Sequence, residues 1–188
     1  MKQAEIIKNM SDQEVKKQLL LSQSIFFVLS LILSYFLFSR FSDWLSYLVV
    51  DVKQIFLYGF LTALIIVILE ILLSLLLPSH YFDDGGINEK VFKNQSIGNI
   101  VLISAVVAIS EEFLFRGVIQ TSFGYIFASS LFVLVHFRYL KKPVLLILVT
   151  IISFLIGYLF EITENLLVVI VFHFTIDFLL GLFIKFKK

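Results

Sequence analysis

The apolar positions of this chain run in long blocks separated by short polar stretches. A helix needs about 20 predominantly apolar residues to cross the hydrocarbon core of a bilayer. Six blocks reach or approach that length: 19–39 (LLLSQSIFFVLSLILSYFLFS), 55–77, 98–119, 123–140, 144–161 and 165–184. The fourth and fifth are the shortest of the six. The connection from Pro78 to Ile97 contains Asp83-Asp84-Gly85-Gly86, a run with turn chemistry. Lys141-Lys142-Pro143 marks another break, with a proline suited to the first turn of the next helix. The pattern predicts an all-α, polytopic transmembrane bundle of about six spans. No polar stretch exceeds about 20 residues, well short of a domain of ~50, so residues 1–188 are expected to form a single integral membrane domain.

The basic residues orient that bundle. Lys and Arg are enriched in the cytoplasmic loops of membrane proteins. With the N-terminus inside and the loops alternating, the inside set is Lys2, Lys8, Lys16, Lys17, Lys90, Lys93, Arg138, Lys141, Lys142, Lys185, Lys187 and Lys188. The outside loops hold only Arg40 and Lys53, and Arg116 falls within a span. Twelve of the 15 basic residues thus collect on one side, which predicts that both termini are cytoplasmic. The hydrophilic start, residues 1–18, is long for the charged region of a signal peptide, and no Ala-x-Ala-like exit follows the first apolar block. A retained first span is therefore expected.

Composition agrees with a bilayer as the solvent. Sixty per cent of the 188 residues are hydrophobic, 22 of them Phe, and the mean hydropathy is +1.01. The formal net charge of +1 gives no reason to expect a nucleic acid partner. The lipid bilayer and a peptide or protein substrate are the partners expected, and the oligomeric state is left open. The chain has no cysteine, so disulfides, thiolate metal sites and a cysteine nucleophile are excluded. Rich Phe, Ile and Lys usage suggests an AT-rich bacterial genome, and hence a bacterial cell membrane.

Against this background the ionisable residues inside the spans stand out: Glu70, Glu111, Glu112, Arg116, His136, His173 and Asp177. Each charge at a helix centre costs about 2.5–3.5 kcal/mol on insertion scales, so four facing lipid would cost on the order of 10 kcal/mol. That matches the whole stability of a domain, so these residues must face one another or a wet cavity. Glu112 and Arg116 are spaced i, i+4 and share a helix face, as do His173 and Asp177. Glu111 lies about 100° round the helix from Glu112, free to meet a different partner. Two histidines and a carboxylate from separate helices can activate a water as general base or hold a metal ion.

Other polar residues carry blander expectations. Glu70 suits a structural hydrogen bond or a cavity lining. Glu161 and Glu164 read as solvated helix ends, and His80 as a solvated loop residue. Ser104 and Ser110 suit packing or backbone hydrogen bonding.

Glu111-Glu112-Phe113-Leu114-Phe115-Arg116 forms an E-E-x-x-x-R motif, Phe132 to His136 an F-x-x-x-H motif, and His173 to Asp177 an H-x-x-x-D motif. In this order on separate membrane helices, they resemble the motifs of the CPBP family of intramembrane proteases, also called Abi or CAAX prenyl protease-like. Gly157-Tyr158-Leu159-Phe160-Glu161-Ile162-Thr163 resembles that family's G-Y-x-x-E-x-T segment, which weakens the solvated-end reading of Glu161. The resemblance covers about residues 100–180, which it marks as a catalytic core. It implies an endopeptidase acting at membrane depth, with catalytic residues Glu111, Glu112, Arg116, His136, His173 and Asp177. Glu111 with His136 would position and deprotonate the attacking water, and Glu112 would support them, oriented by Arg116. His173 and the residue four on would stabilise the oxyanion.

That last position is often Asn in the prenyl-protease branch and is Asp177 here. An ionised Asp cannot donate to an oxyanion, so Asp177 must be protonated, orient His173 or bind a metal. If a metal is used, a divalent ion such as zinc, its ligands would be Glu111, His136 and His173. A metal-free glutamate and histidine mechanism is equally compatible. The chain has no H-E-x-x-H, G-x-G-D or G-x-S-x-G sequence, which argues against the zinc site-2, aspartyl and rhomboid types.

Bacteriocin or peptide-signal maturation and self-immunity are the roles usual for bacterial relatives, and a prenylated substrate is not expected in a bacterium. The alternative is a non-catalytic immunity or scaffold protein that binds its target in the same cavity. A small proton-relaying transporter ranks lower, since the chain has only two prolines and no internal repeat.

Overall fold

The computed structural model describes residues 9–187; Lys2, Lys8 and Lys188 of the inside set lie outside the described residues. Among the described residues five helices are long and apolar enough to cross a membrane: α1 (Asp12–Leu37), α2 (Val52–Leu76), α3 (Ile97–Phe123), α5 (Pro143–Thr163) and α6 (Leu166–Phe186). Between α3 and α5 lies the shorter apolar helix α4 (Tyr125–Val135). No strand occurs among the described residues. The chain is thus a polytopic helical membrane protein.

The expected fourth span, 123–140, is corrected to a helix of half that reach. The 11 residues of α4 rise about 16 Å at 1.5 Å per residue, against a hydrocarbon thickness of about 30 Å. Both of its ends have a local cause. Gly124, at φ 88° and ψ 162°, holds a backbone conformation open only to glycine. It turns the chain back after α3, which runs on to Phe123 instead of ending near 119. At the other end His136 leaves the helix at φ −84° and ψ 36°, and a 3₁₀ turn, Phe137–Tyr139, follows. Tyr125 meets α5 at the carbonyl of Phe154 and beside Gly157, well short of the end of α5 at Thr163. The turn between α3 and α4 therefore lies at a level short of the end of α5, with Thr121–Gly124 exposed on the outside of the bundle.

Helix ends carry the expected caps. Ser11 and Glu14 form a reciprocal capping box at the start of α1. Ser96 caps α3, Pro143 opens α5, and Asn165 caps α6. The Asn165 amide also donates to the carbonyl of Val49 at 2.8 Å, tying the α5–α6 turn to the segment that follows α1.

The opposite end of the bundle is stitched by polar contacts. Lys90 Nζ donates to the carbonyl of Met10, Asn94 to Asp12 at 2.8 Å, and Lys185 to the carbonyl of Gln95 at 2.7 Å. Lys142 faces Asp83 across 3.4 Å. The loops expected on the inside therefore meet at one end of the bundle. The segment joining α1 to α2, with Arg40 and Lys53, lies at the other.

Burial in this molecule inverts the soluble pattern. On α1 the buried residues include Gln23, Ser30 and Ser34, while Leu21, Ile25, Val28 and Ile32 are each at least half exposed. Lipid is as apolar as leucine, so small and polar residues turn inward, where close packing and hydrogen bonds hold helices together. Gly157 serves the same end. A Cβ there would stand 2.5 Å from Ser129 Oγ, so the missing side chain lets α4 lie against α5. Three apolar clusters fill the bundle, around Val169 and Phe172, around Ile100 and Ile103, and around Phe115 and Phe132. One cavity touches all three.

Candidate active site

The cavity has a volume of about 840 Å³ and reaches from the end of the bundle that carries His80 and Arg138 down to Glu111, His136, His173 and Asp177. The candidate residues come to it from three helices. Glu111 and Glu112 end the regular α-helical part of α3, Ile97–Glu112. The next turns, Phe113–Gln120, are π-helical and carry Arg116. Widened π turns are rare and recur at functional sites. His136 ends α4, and His173 and Asp177 share a face of α6.

Glu112 is sealed inside the protein. Glu112 and Arg116 are both 0% exposed, and neither lines the cavity. Glu112 Oε1 lies 2.7 Å from His173 Nδ1, and its Oε2 lies 3.4 Å from Arg116 Nε. The guanidinium also donates from Nη2 to the carbonyl of Ser153 on α5 at 3.0 Å. Its other face covers the Phe132 ring, 4.8 Å from the centroid. The expected Glu112–Arg116 pair is present and has a third member, His173.

With Nδ1 bound to Glu112, the His173 ring leaves Nε2 toward the cavity. Asp177 Oδ2 stands 3.6 Å from that nitrogen, an ion-pair distance too long for a hydrogen bond. Of the three roles open to Asp177 in the sequence, this contact matches the one that acts on His173.

His136 is held from its own helix. Its Nδ1 lies 2.8 Å from the Phe132 carbonyl, an oxygen that can only accept, so Nδ1 carries the proton and Nε2 presents a lone pair. The Phe132 ring packs against it at a tilt of 30°, with centroids 4.7 Å apart, and meets the His173 ring edge-on at 6.2 Å. The aromatic position of the F-x-x-x-H motif thus spaces Arg116, His136 and His173.

Glu111, 6% exposed, turns away from Glu112 to the cavity. Its Oε1 accepts from Gln23 Nε2 of α1 at 2.8 Å. The sequence reading did not single out Gln23. Its signal was a Ser22-Gln23-Ser24 triplet inside the first apolar block. Glu70 of α2 also lines the cavity, with no hydrogen-bond or ion-pair partner among the described residues.

Three further expectations meet the structure here. Glu161 is exposed and accepts from Gln120 Nε2 at 3.0 Å, while the same amide donates to the Gly157 carbonyl at 2.8 Å. The G-Y-x-x-E segment therefore holds α5 against α3 and stays off the cavity. His80, read as a solvated loop residue, lines the cavity mouth. The conditional metal-ligand set is the third: among the described residues no group of three His, Cys, Asp or Glu side chains is placed to hold an ion. Glu111, His136 and His173 each have one polar atom committed to Gln23, the Phe132 carbonyl and Glu112 respectively. They line one cavity without converging on a shared point.

Comparison with known proteins bears on these residues as a group. Residues 93–179 match a family model described as type II CAAX prenyl endopeptidase Rce1-like, a segment that includes every candidate site residue. An uncharacterised protein of Bacillus subtilis, YpbD, is 45% identical over 130 residues, covering 69% of each chain. No solved structure matches the chain.

Proposed function

Because this chain belongs to the Rce1-like family of type II CAAX prenyl endopeptidases, we propose that it is an intramembrane endopeptidase of a bacterial cell membrane. It hydrolyses a peptide bond in a membrane-associated peptide or protein, with both termini in the cytoplasm. The observation that carries this reading is the pairing of Glu111 and His136 on one cavity. Each comes from a different helix, each has one polar atom held by the protein, and both side chains line the same cavity.

In this mechanism a water sits between the Glu111 carboxylate and His136 Nε2. Glu111 takes a proton from the water as its oxygen attacks the scissile carbonyl carbon. The oxyanion that forms needs a donor, and His173 Nε2 is the ring atom turned to the cavity. Glu112 accepts at Nδ1, and the Asp177 carboxylate stands at ion-pair distance from Nε2 without taking a hydrogen bond there, so an Nε2–H is left to serve the oxyanion. Collapse of the intermediate breaks the C–N bond, and the leaving amine takes the proton from Glu111. Arg116 offsets the charge of Glu112 and takes no part in the transfer. These steps need no metal ion.

Substrates of this kind include a secreted peptide signal or bacteriocin precursor, and self-immunity is the second role to test. The experiment reconstitutes wild type, Glu111→Ala and His136→Ala in vesicles with a library of hydrophobic membrane peptides and reads products by mass spectrometry. Loss of a general base costs about 10²–10⁴ in rate, so both variants should lose the wild-type products. Products unchanged in both variants would overturn the reading.

A further inference from the structure

The first helix lies outside the family match, yet it supplies the hydrogen bond that holds Glu111. Gln23 is 4% exposed. Its Nε2–H donates to Glu111 Oε1 at 2.8 Å. The other end of the same amide, Oε1, lies 2.8 Å from Ser110 Oγ. Ser110 is 3% exposed and immediately precedes Glu111 on α3, and its hydroxyl also reaches the carbonyl of Val106. A carboxylate accepts hydrogen bonds only, and an amide oxygen does the same. Turning the Gln23 amide over would set its oxygen against the Glu111 carboxylate. The charge on Glu111 therefore favours one orientation, with the amide oxygen facing the Ser110 hydroxyl.

A polar contact between membrane helices can serve as glue alone. Here it does more, because it uses one carboxylate oxygen and leaves the other. Glu111 Oε2 has no hydrogen-bond partner among the described residues and belongs to a side chain that lines the cavity. We propose that Gln23 is a positioning residue: it holds Glu111 through Oε1 so that Oε2 faces the reacting water, and Ser110 fixes the Gln23 amide. This rests on the reading of Glu111 as the general base. It makes α1 part of the site.

The test reads Glu111 directly. Protein labelled with ¹³C-carboxyl glutamate is inserted in phosphatidylethanolamine and phosphatidylglycerol vesicles, and the infrared spectrum of Glu111→Gln is subtracted from that of wild type to isolate the Glu111 band. Gln23→Met, of similar shape without a donor, should move that band. Ser110→Ala should move it the same way by less, because the amide loses its fixed end while alanine favours the helix. On a membrane peptide that wild type cleaves, Gln23→Met should lower kcat by roughly 10- to 100-fold, the size usual when a partner that orients a reacting group is lost, and leave KM unchanged.

A Glu111 band identical in wild type and both variants would overturn the inference. If Gln23→Met fails to insert, an unmoved band in Ser110→Ala is enough to do so. An unmoved band with processing that still needs Glu111 defeats this inference alone. A moved band beside full processing by Glu111→Gln defeats the general-base reading and with it the positioning role, leaving the Gln23–Glu111 hydrogen bond as a structural contact.

Discussion

Glu111 and Glu112 are neighbours in sequence and opposites in environment. Glu112 is 0% exposed, closed in by Arg116 and His173. Glu111 meets only Gln23 on its inner side and lines the cavity on the other. The same functional group thus stands once in a sealed, charge-compensated cluster and once at an open surface inside the bundle. The difference is about 100° of helix rotation. It separates a carboxylate that fixes another residue from one that can meet a reactant.

The largest expected effect falls on the sealed side. Arg116→Leu leaves Glu112 Oε2 buried without its guanidinium partner, and breaking a buried pair costs about 3–5 kcal/mol. Thermal unfolding in detergent should show that loss, and the protein should not accumulate in the membrane as wild type does. Gly157→Ala comes next, because its Cβ would collide with Ser129 Oγ and the Tyr125 ring. Overpacking of this sort costs about 1–3 kcal/mol, read as a lowered melting temperature. If the two helices are forced apart, the Arg116 bond to Ser153 should weaken with it. The smallest effect belongs to the rim: Glu161→Gln keeps its shape and an acceptor for Gln120, and an exposed change of this kind shifts stability by at most about 0.5 kcal/mol.

Much of the site was legible because intramembrane charges are costly enough to be informative. The positions of Glu111, Glu112, Arg116, His136, His173 and Asp177 could be read from their depth and their i, i+4 spacing, and so could the division of Glu111 from Glu112. Three things were not legible. A hydropathy pattern measures apolar length and is blind to the turn that Gly124 makes, so α4 passed for a full span. It also discards one glutamine among many apolar residues, so α1 was read only as a retained span when it carries Gln23. The spacing of Glu112 and Arg116 showed a pair along one helix; the third member, His173, is 61 residues away and comes in only when α6 packs on α3.

The central claim is that the cavity-facing member of the glutamate pair does the chemistry. It is tested most directly by the rate at which Glu111→Gln protein, inserted and folded as wild type, cleaves a membrane peptide that wild type cleaves. The account predicts a loss of roughly 10²- to 10⁴-fold with the melting temperature nearly unchanged. Cleavage at the wild-type rate would contradict it.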